Sequence, residues 1–358
     1  MELTAYLPGW PEHFISERAR LLNVLGEVTT GGLVENLQHI GATSVPGMAA
    51  CPCIDIAMTV WPFPLQAQSI ANLAALGYAP VAGFEAALEQ RFRRADGAVQ
   101  LYVVEPGSDR WTNYLLIRDY LRCHPAAQAG YQPHWFAHPF ANTLCKPPLL
   151  ESLMAKATSW WLDEIGFAPL ESVATELAEL GCPWYVSSGW ALDLFLGRVT
   201  RIHHDVDIVL DRGDQLALQE YMTQRGWRFV TPFEQRLEPW PPHMRIETPR
   251  HQVHAHREGA FIDFLLSPLE QGVWRYRRQP TIVRDAGRIS LRSAQGIPFL
   301  APELVLLFKS KSTGRQERGK DQADFEQVHP HLEHERRAWL RWALIATEPA
   351  HPWIGQLG

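Results

Sequence analysis

The chain has 358 residues, 46% of them hydrophobic, and a formal net charge of −6, with 33 Lys and Arg against 39 Asp and Glu. That length exceeds one typical core and suits two domains, while the acidic balance argues against a general nucleic-acid binder, which carries a basic surface. No apolar run approaches the roughly 20 residues that span a bilayer, the first residues lack a signal peptide's basic start and apolar core, and the five cysteines show no disulfide framework, so a cytoplasmic protein without membrane association is expected.

The first informative stretch runs from Gln38 to Ile56 and reads Gln-His-Ile-Gly-Ala-Thr-Ser-Val-Pro-Gly-Met-Ala-Ala-Cys-Pro-Cys-Ile-Asp-Ile. Farther on come Val104-Glu105-Pro106-Gly107-Ser108, Trp111, Arg118-Asp119-Tyr120-Leu121-Arg122, His124-Pro125 and Tyr131. Together these stretches resemble the GrpB family, a group of nucleotidyltransferase-like domains with no settled activity, over about residues 5 to 165. The resemblance implies the fold. For chemistry the departures matter: Ala42 stands where a serine is usual, Cys51 where a lysine is usual, and Gln100-Leu101-Tyr102 where a His-Leu-His run is usual. Asp55 is followed two residues later by Ala57, so a single carboxylate lies on that strand face, a poor divalent-metal site. The first domain is therefore expected to be non-catalytic, binding a ligand or shaping the acceptor pocket of the second.

A helix from Leu149 to Glu164 closes that domain, and the boundary falls near Ile165 to Ala168, giving domains of residues 1–166 and 167–358. Leu170 to Leu180, with Val173, Leu177 and Leu180 on one face, opens the second as a helix. Trp184-Tyr185-Val186 reads as a strand ending at Ser187-Ser188-Gly189, and Ala191 to Leu196 as a short helix closed by Gly197. Such a small-residue turn at a helix N-terminus cradles phosphate, because little bulk keeps backbone N–H groups from the oxygens. From Asp205 to Leu210, apolar residues alternate with acids, as in a strand whose Asp205 and Asp207 leave one face. Paired carboxylates repel, so a divalent cation or arginines are expected beside them.

The segment Thr231 to Arg257 is rich in Pro, Arg and His and predicts few regular elements, as a loop over an acceptor site would. Phe261 to Leu266 is an apolar strand interrupted by Asp263, a carboxylate whose lost hydration calls for a nearby cation. A helix begins at Pro302 and carries Lys309. Ser312 to Gly319 is expected to be a mobile loop, and helices after Ala301 to form one wall of the cleft.

Ser188-Gly-Trp-Ala-Leu-Asp-Leu-Phe-Leu-Gly-Arg198, followed by Thr200-Arg201-x-His203-x-Asp205-x-Asp207-Ile208, is similar to the aminoglycoside 2''-adenylyltransferase-like branch of the polymerase-β-type nucleotidyltransferases. Ile297 to Glu303, Leu306 to Lys311, Lys320 to Phe325 and Arg337 to Leu340 resemble that family's C-terminal helical part, so the likeness covers about residues 170 to 358. Family members commonly begin the phosphate turn with Gly-Gly where this chain has Ser188-Gly189. The fold expected is mixed α/β (α+β): two nucleotidyltransferase-like domains in tandem, each a mixed sheet flanked by helices, with helices from about residue 300 ending the second.

What this resemblance implies is transfer of a nucleoside monophosphate, usually AMP from ATP, to a hydroxyl of a small molecule of aminoglycoside type, with pyrophosphate released. Asp205, Asp207 and Asp263 would hold Mg²⁺ against the triphosphate, with Asp263 also taking the hydroxyl proton. Ser188, Gly189, Arg198, Arg201, His203 and Lys309 would bind the nucleotide. For Arg198 and Arg201 an ion pair with Asp193 or Asp211 is the alternative, for His203 plain packing, and Trp190 is read as core. Two other functions stay open, namely nucleotidyl transfer to a protein or RNA in a toxin or defence setting, and nucleotide binding without turnover. The acceptor and the oligomeric state are left open by the sequence.

Overall fold

The computed structural model describes residues 3–81, 88–131, 148–234, 236–257, 260–270, 272–310 and 319–358. The chain forms two compact units, one of Met1–Glu164, Val230–Trp240 and Glu258–Ala260, the other of Ile165–Phe229, Pro241–Arg257 and Phe261–Gly358. Each contains a mixed sheet flanked by helices, and a helical region ends the chain. Among the described residues no helix is long and apolar enough to cross a membrane.

In the first unit the strands are β1 (Val34–Ile40), β2 (Ile54–Val60), β3 (Tyr78–Pro80), β4 (Glu89–Arg94) and β5 (Val99–Val104), in the order β1-β2-β5-β4-β3. Only β2 and β5 run parallel; the other neighbours are antiparallel. Central β2 buries Ile54, Ile56, Ala57, Met58 and Val60, the near-continuous apolar run of a strand covered on both faces. Helices α1 (Trp10–Leu25), α2 (Ala67–Ala75), α3 (Asp109–Cys123), α4 (Pro125–Tyr131) and α5 (Pro148–Trp160) belong to the same stretch of chain. Ser108 caps α3 by accepting from the Trp111 N–H. From α3, Trp111 and Tyr114 pack on Ile40, Ala57 and Tyr102, so the two halves of the first motif share one core.

The second unit opens with α6 (Ala168–Glu176), which buries Leu170 and Val173. Then follow β6 (Trp184–Val186), α7 (Ser188–Leu196), β7 (Asp207–Asp211) and α8 (Gln215–Thr223). Gly197, at φ +70°, ends α7 in the left-handed conformation that glycine adopts without steric cost. The expectation of few regular elements from Thr231 to Arg257 is overturned by β8 (Arg228–Phe233), β9 (Arg236–Pro239) and β10 (Gln252–Arg257). The Pro, Arg and His content hides short buried runs such as Phe229-Val230-Thr231, which supply strand packing despite their neighbours.

Next come β11 (Ala260–Ser267), β12 (Leu269–Glu270), β13 (Val273–Arg275), β14 (Val283–Asp285), β15 (Ser290–Arg292) and β16 (Pro298–Leu300). Through six of its strands the main sheet of this unit runs β15-β16-β6-β7-β11-β10, while β12, β13 and β14 form a small antiparallel sheet. Three helices follow: α9 (Pro302–Lys309), α10 (Gly319–Val328) and α11 (His334–Thr347). Pro302 sits in the first turn of α9, where its missing N–H breaks no helical bond, and Leu304 to Leu307 are buried behind it. Fully buried Glu303 accepts from Arg284 (2.7 Å) and from Arg336 of α11 (2.7 and 2.9 Å), fixing the helical wall through a charge cluster that would be costly to break singly. The loop expected from Ser312 to Gly319 falls, up to 318, outside the described residues.

Candidate active site

Three acids meet on the second unit's sheet. β7 and β11 pair in parallel with Asp207 opposite Asp263, so period-two geometry sends both carboxylates to one face from adjacent strands. Asp205 lies just ahead of β7 rather than within it, and its carbonyl accepts from the Trp190 indole N–H at 2.9 Å. One oxygen from each of Asp205, Asp207 and Asp263 falls within 4.8 Å of the others. Burial first, then repulsion from Asp205 and Asp263, pushes the Asp207 carboxyl well above the usual carboxylate range, while the Ser188 hydroxyl and Lys309 pull the other way. Asp263 is buried, and the Gln252 side-chain amide donates to its Oδ2.

The turn between β6 and α7 lies beside these acids. Ser188 has φ +52°, a left-handed backbone that costs a non-glycine residue energy, and its hydroxyl is near enough to Asp207 to favour the charged carboxylate. Gly189 has no room for a side chain: a Cβ there would stand 2.3 Å from Arg201 Nη2 and 2.4 Å from His203 Cε1. His203 is pinned from two directions. Its Nε2 bonds Asp193 Oδ2 at 2.7 Å and its ring stacks on Trp190 with centroids 4.3 Å apart. Burial lowers the His203 pKa despite Asp193, so the ring is neutral at physiological pH. Asp193, itself buried, also accepts from Thr200 at 2.6 Å.

Both inner cations are tied to α10. Arg201 donates to both oxygens of Asp324 (3.1 and 3.2 Å), and Lys309 Nζ reaches Asp324 at 2.7 Å and Asp321 at 3.0 Å. Burial works to raise the Asp324 pKa, but hydrogen bonds and charge from Arg201 and Lys309 outweigh it and hold the carboxyl below its usual range.

A cleft of about 330 Å³ takes in Ser188, Gly189, Arg201, His203, Lys309 and all three acids. Of the residues singled out from sequence, Arg198 alone stays outside its lining; it is exposed beyond the end of α7. Arg201 pairs with Asp324, not with Asp193 or Asp211, and His203 both packs and faces the cleft. Gln252, His251, Arg277, Arg278 and Asp324 are site residues that sequence reasoning missed. Asp324 alone of these lies in a stretch that the resemblance had marked, Lys320 to Phe325; the others reach the site through long-range contacts that no motif announces.

The first unit holds one acid in the corresponding place. Tyr102 donates to Asp55 Oδ1 at 3.1 Å, and a Cβ on Gly41, at φ +69°, would fall 2.4 Å from Asp55 Oδ2. Burial pushes the Asp55 carboxyl up to about 7, with Tyr102 and Arg91 opposing. Among the described residues Asp55 takes part in no metal-competent cluster. Arg118 holds Gln38 (2.9 Å) and the His39 carbonyl (3.2 Å), and Arg122 holds the Ser44 carbonyl (2.9 and 2.8 Å), so the motif's helix clamps its turn.

The two units are similar to two different families, and the second unit's match takes in the three acids and the turn beside them. Residues 1–134 match the family model described as GrpB protein, and residues 169–328 match the one described as Aminoglycoside-2''-adenylyltransferase. The chain is 33% identical over 134 residues to UPF0157 protein SCO7215 of Streptomyces coelicolor, a match covering 36% of this chain and 66% of that protein. It spans 37% of the length of another curated relative, UPF0157 protein YqkA of Bacillus subtilis. Among solved structures, GrpB from Enterococcus faecalis is 24% identical with a TM-score of 0.36, covering 44% of this chain and 96% of that one. The antibiotic-resistance factor ANT(2'')-Ia is 16% identical with a TM-score of 0.37, covering 51% and 92%.

Proposed function

We propose that the second unit is a Mg²⁺-dependent nucleotidyltransferase that moves a nucleoside monophosphate, AMP from ATP in the first instance, to a hydroxyl of a small molecule with release of pyrophosphate. The observation that carries the reading is the meeting of Asp205, Asp207 and Asp263 within 4.8 Å beside the Ser188-Gly189 turn. This donor set suits a hard divalent cation: all its ligand atoms are carboxylate oxygens, and the proton affinity of Asp207 is raised by burial first and then by Asp205 and Asp263, whose charge a cation would offset. When bound there, Mg²⁺ would supply charge neutralisation and Lewis acidity toward phosphate oxygens.

The chain's own groups do the rest. Backbone N–H groups at Ser188 and Gly189 would receive phosphate oxygens, with the Arg201 guanidinium packed close against Gly189. Arg201 and Lys309, already oriented by Asp324, would oppose the charge on the phosphates. Asp263, oriented by Gln252, would take the proton of the attacking hydroxyl. His203, bonded to Asp193 and stacked on Trp190, would brace the turn beside Gly189. Among the described residues Asp55 joins no cluster of acids, which supports a binding or structural role for the first unit. The free thiols Cys51, Cys53, Cys123 and Cys182 support a cytoplasmic setting.

The test is pyrophosphate release from purified protein with each NTP, Mg²⁺ and an acceptor panel that includes aminoglycosides. Release is expected with at least one acceptor and is lost in Asp205→Asn and Asp207→Asn, whereas Asp263→Asn keeps nucleotide binding and loses turnover. Label on protein or RNA instead would move the function to macromolecular substrates. Nucleotide binding with no transfer to any acceptor would reduce it to a sensor.

A further inference from the structure

We propose that the acceptor carries an anionic group, a phosphate or a carboxylate, which Arg277 and Arg278 receive on the far side of the acid triad from the phosphate turn. The inference rests on the transferase reading and names its substrate class.

Sheet order gives the direction. From the turn at the end of β6 the sheet passes to Asp207 on β7, Asp263 on β11, and then to β10 with Gln252 and neighbouring His251. Strands lie about 4.8 Å apart, so β6 and β10 are separated by roughly 14 Å, with the acids between them. In-line displacement sends the attacking hydroxyl in from the side opposite the departing pyrophosphate. With the triphosphate tail at the Ser188-Gly189 turn, the acceptor comes from the β10 side.

That side is cationic. Arg277 and Arg278 both line the cleft, with guanidinium carbons 5.4 and 5.5 Å from the centre of the Phe308 ring. Arg278 also donates to the Phe308 carbonyl at 2.9 Å, the C-terminal end of α9, which fixes its direction. Burial, and then the charges of Arg277, Arg212 and Arg278, lower the His251 pKa, so the ring lies within the field of both arginines. The Leu266 N–H bonds the His251 carbonyl at 2.8 Å, which places the ring beside the strand that carries Asp263.

Negative charge is scarce by comparison. Among the described lining residues, the only carboxylate beyond the triad is Asp321, and Lys309 already bonds it. Among the described lining residues a polycationic acceptor would meet a wall of arginines and, beyond the triad, the one acid already bonded by Lys309, and like charges brought together cost affinity. Phosphate and carboxylate groups match paired guanidinium forks, and charge-assisted bonds of this kind are the strong ones.

The experiment titrates the full chain, loaded with Mg²⁺ and a non-hydrolysable ATP analogue, with glucose 6-phosphate, gluconate, glucose and tobramycin in a calorimeter. Glucose 6-phosphate and gluconate are expected to bind about tenfold or more tightly than glucose, and tobramycin no more tightly than glucose. Arg277→Gln, at an exposed position, should remove most of that advantage while leaving affinity for the ATP analogue within about twofold. Tightest binding of tobramycin, or equal binding of all four probes, overturns the inference alone. Parallel loss of analogue affinity in Arg277→Gln overturns it too, by assigning the arginines to the triphosphate. Analogue binding that fails altogether, or that Asp207→Asn leaves unchanged, takes down the transferase reading beneath it.

Discussion

Asp207→Asn should stabilise the protein in EDTA while abolishing its response to Mg²⁺. Two unit charges 4.8 Å apart repel by roughly 0.9 kcal/mol at the dielectric of water and by roughly 3.5 kcal/mol at an effective value of 20. Asp207 is half-buried and faces both Asp205 and Asp263, so neutralising it should return about 1–3 kcal/mol, or roughly 2–10 °C of melting temperature for a unit of this size. The sign follows from proton linkage. Folding raises the Asp207 pKa, so the folded state gains from holding that proton; this stability is fully present below the ordinary value of 3.8 and is lost as pH rises toward the elevated one. The variant's advantage should therefore be absent at acid pH and complete at alkaline pH. Adding Mg²⁺ reverses the ranking, because a ligand at a hundred times its Kd stabilises the wild type by about 2.7 kcal/mol and the variant scarcely at all. Scanning calorimetry at several pH values, with EDTA or Mg²⁺, measures all of this. A variant that melts below wild type in EDTA at pH 8, or that gains equally from Mg²⁺, refutes the reasoning.

Gly189→Ala should cut transfer at least about tenfold and destabilise by about 1–3 kcal/mol, because Arg201 is anchored by Asp324 and cannot swing away from the new methyl group; steady-state kinetics and urea unfolding check this. Ser188→Gly should relax a left-handed backbone and raise stability by up to about 1 kcal/mol, yet weaken Mg²⁺ binding severalfold through loss of the hydroxyl on Asp207. Ser188→Ala keeps the strain and also loses the hydroxyl, so it should be the less stable of the two, and the opposite order in urea would contradict this account. Asp55→Asn should leave transfer within about twofold. It should also stabilise the chain as pH rises from 3.8 to about 7, the window in which the wild type must give up a proton that its fold favours, as a pH series of melting curves would record.

Much of the site could be read directly from the chain because strand periodicity is local. Asp207 and Asp263 were each visible as an acid in an apolar run, and register then set them side by side. The Ser188-Gly189 turn was equally visible, since small residues between a strand and a helix announce themselves. What escaped was everything delivered from a distance. Gln252 reaches Asp263 from a segment whose Pro, Arg and His content masked three strands, and Asp324 joins Arg201 and Lys309 across 123 residues of sequence from the first. Arg198 erred the other way: it sits in the motif, but α7 ends before it and leaves it in solvent. Asp205 lies outside the strand that alternation suggested, held by an indole bond to its carbonyl that no periodicity encodes.

The bond of Asp324 to both Arg201 and Lys309 makes the tail of the molecule part of the candidate site. Grafting in a tail without Asp321 and Asp324 would make the chamber more positive by two charges while leaving every sheet residue untouched. On the proposed reading, appetite for polyphosphate and reluctance to let pyrophosphate go would be set from the last quarter of the chain, with the three acids left undisturbed.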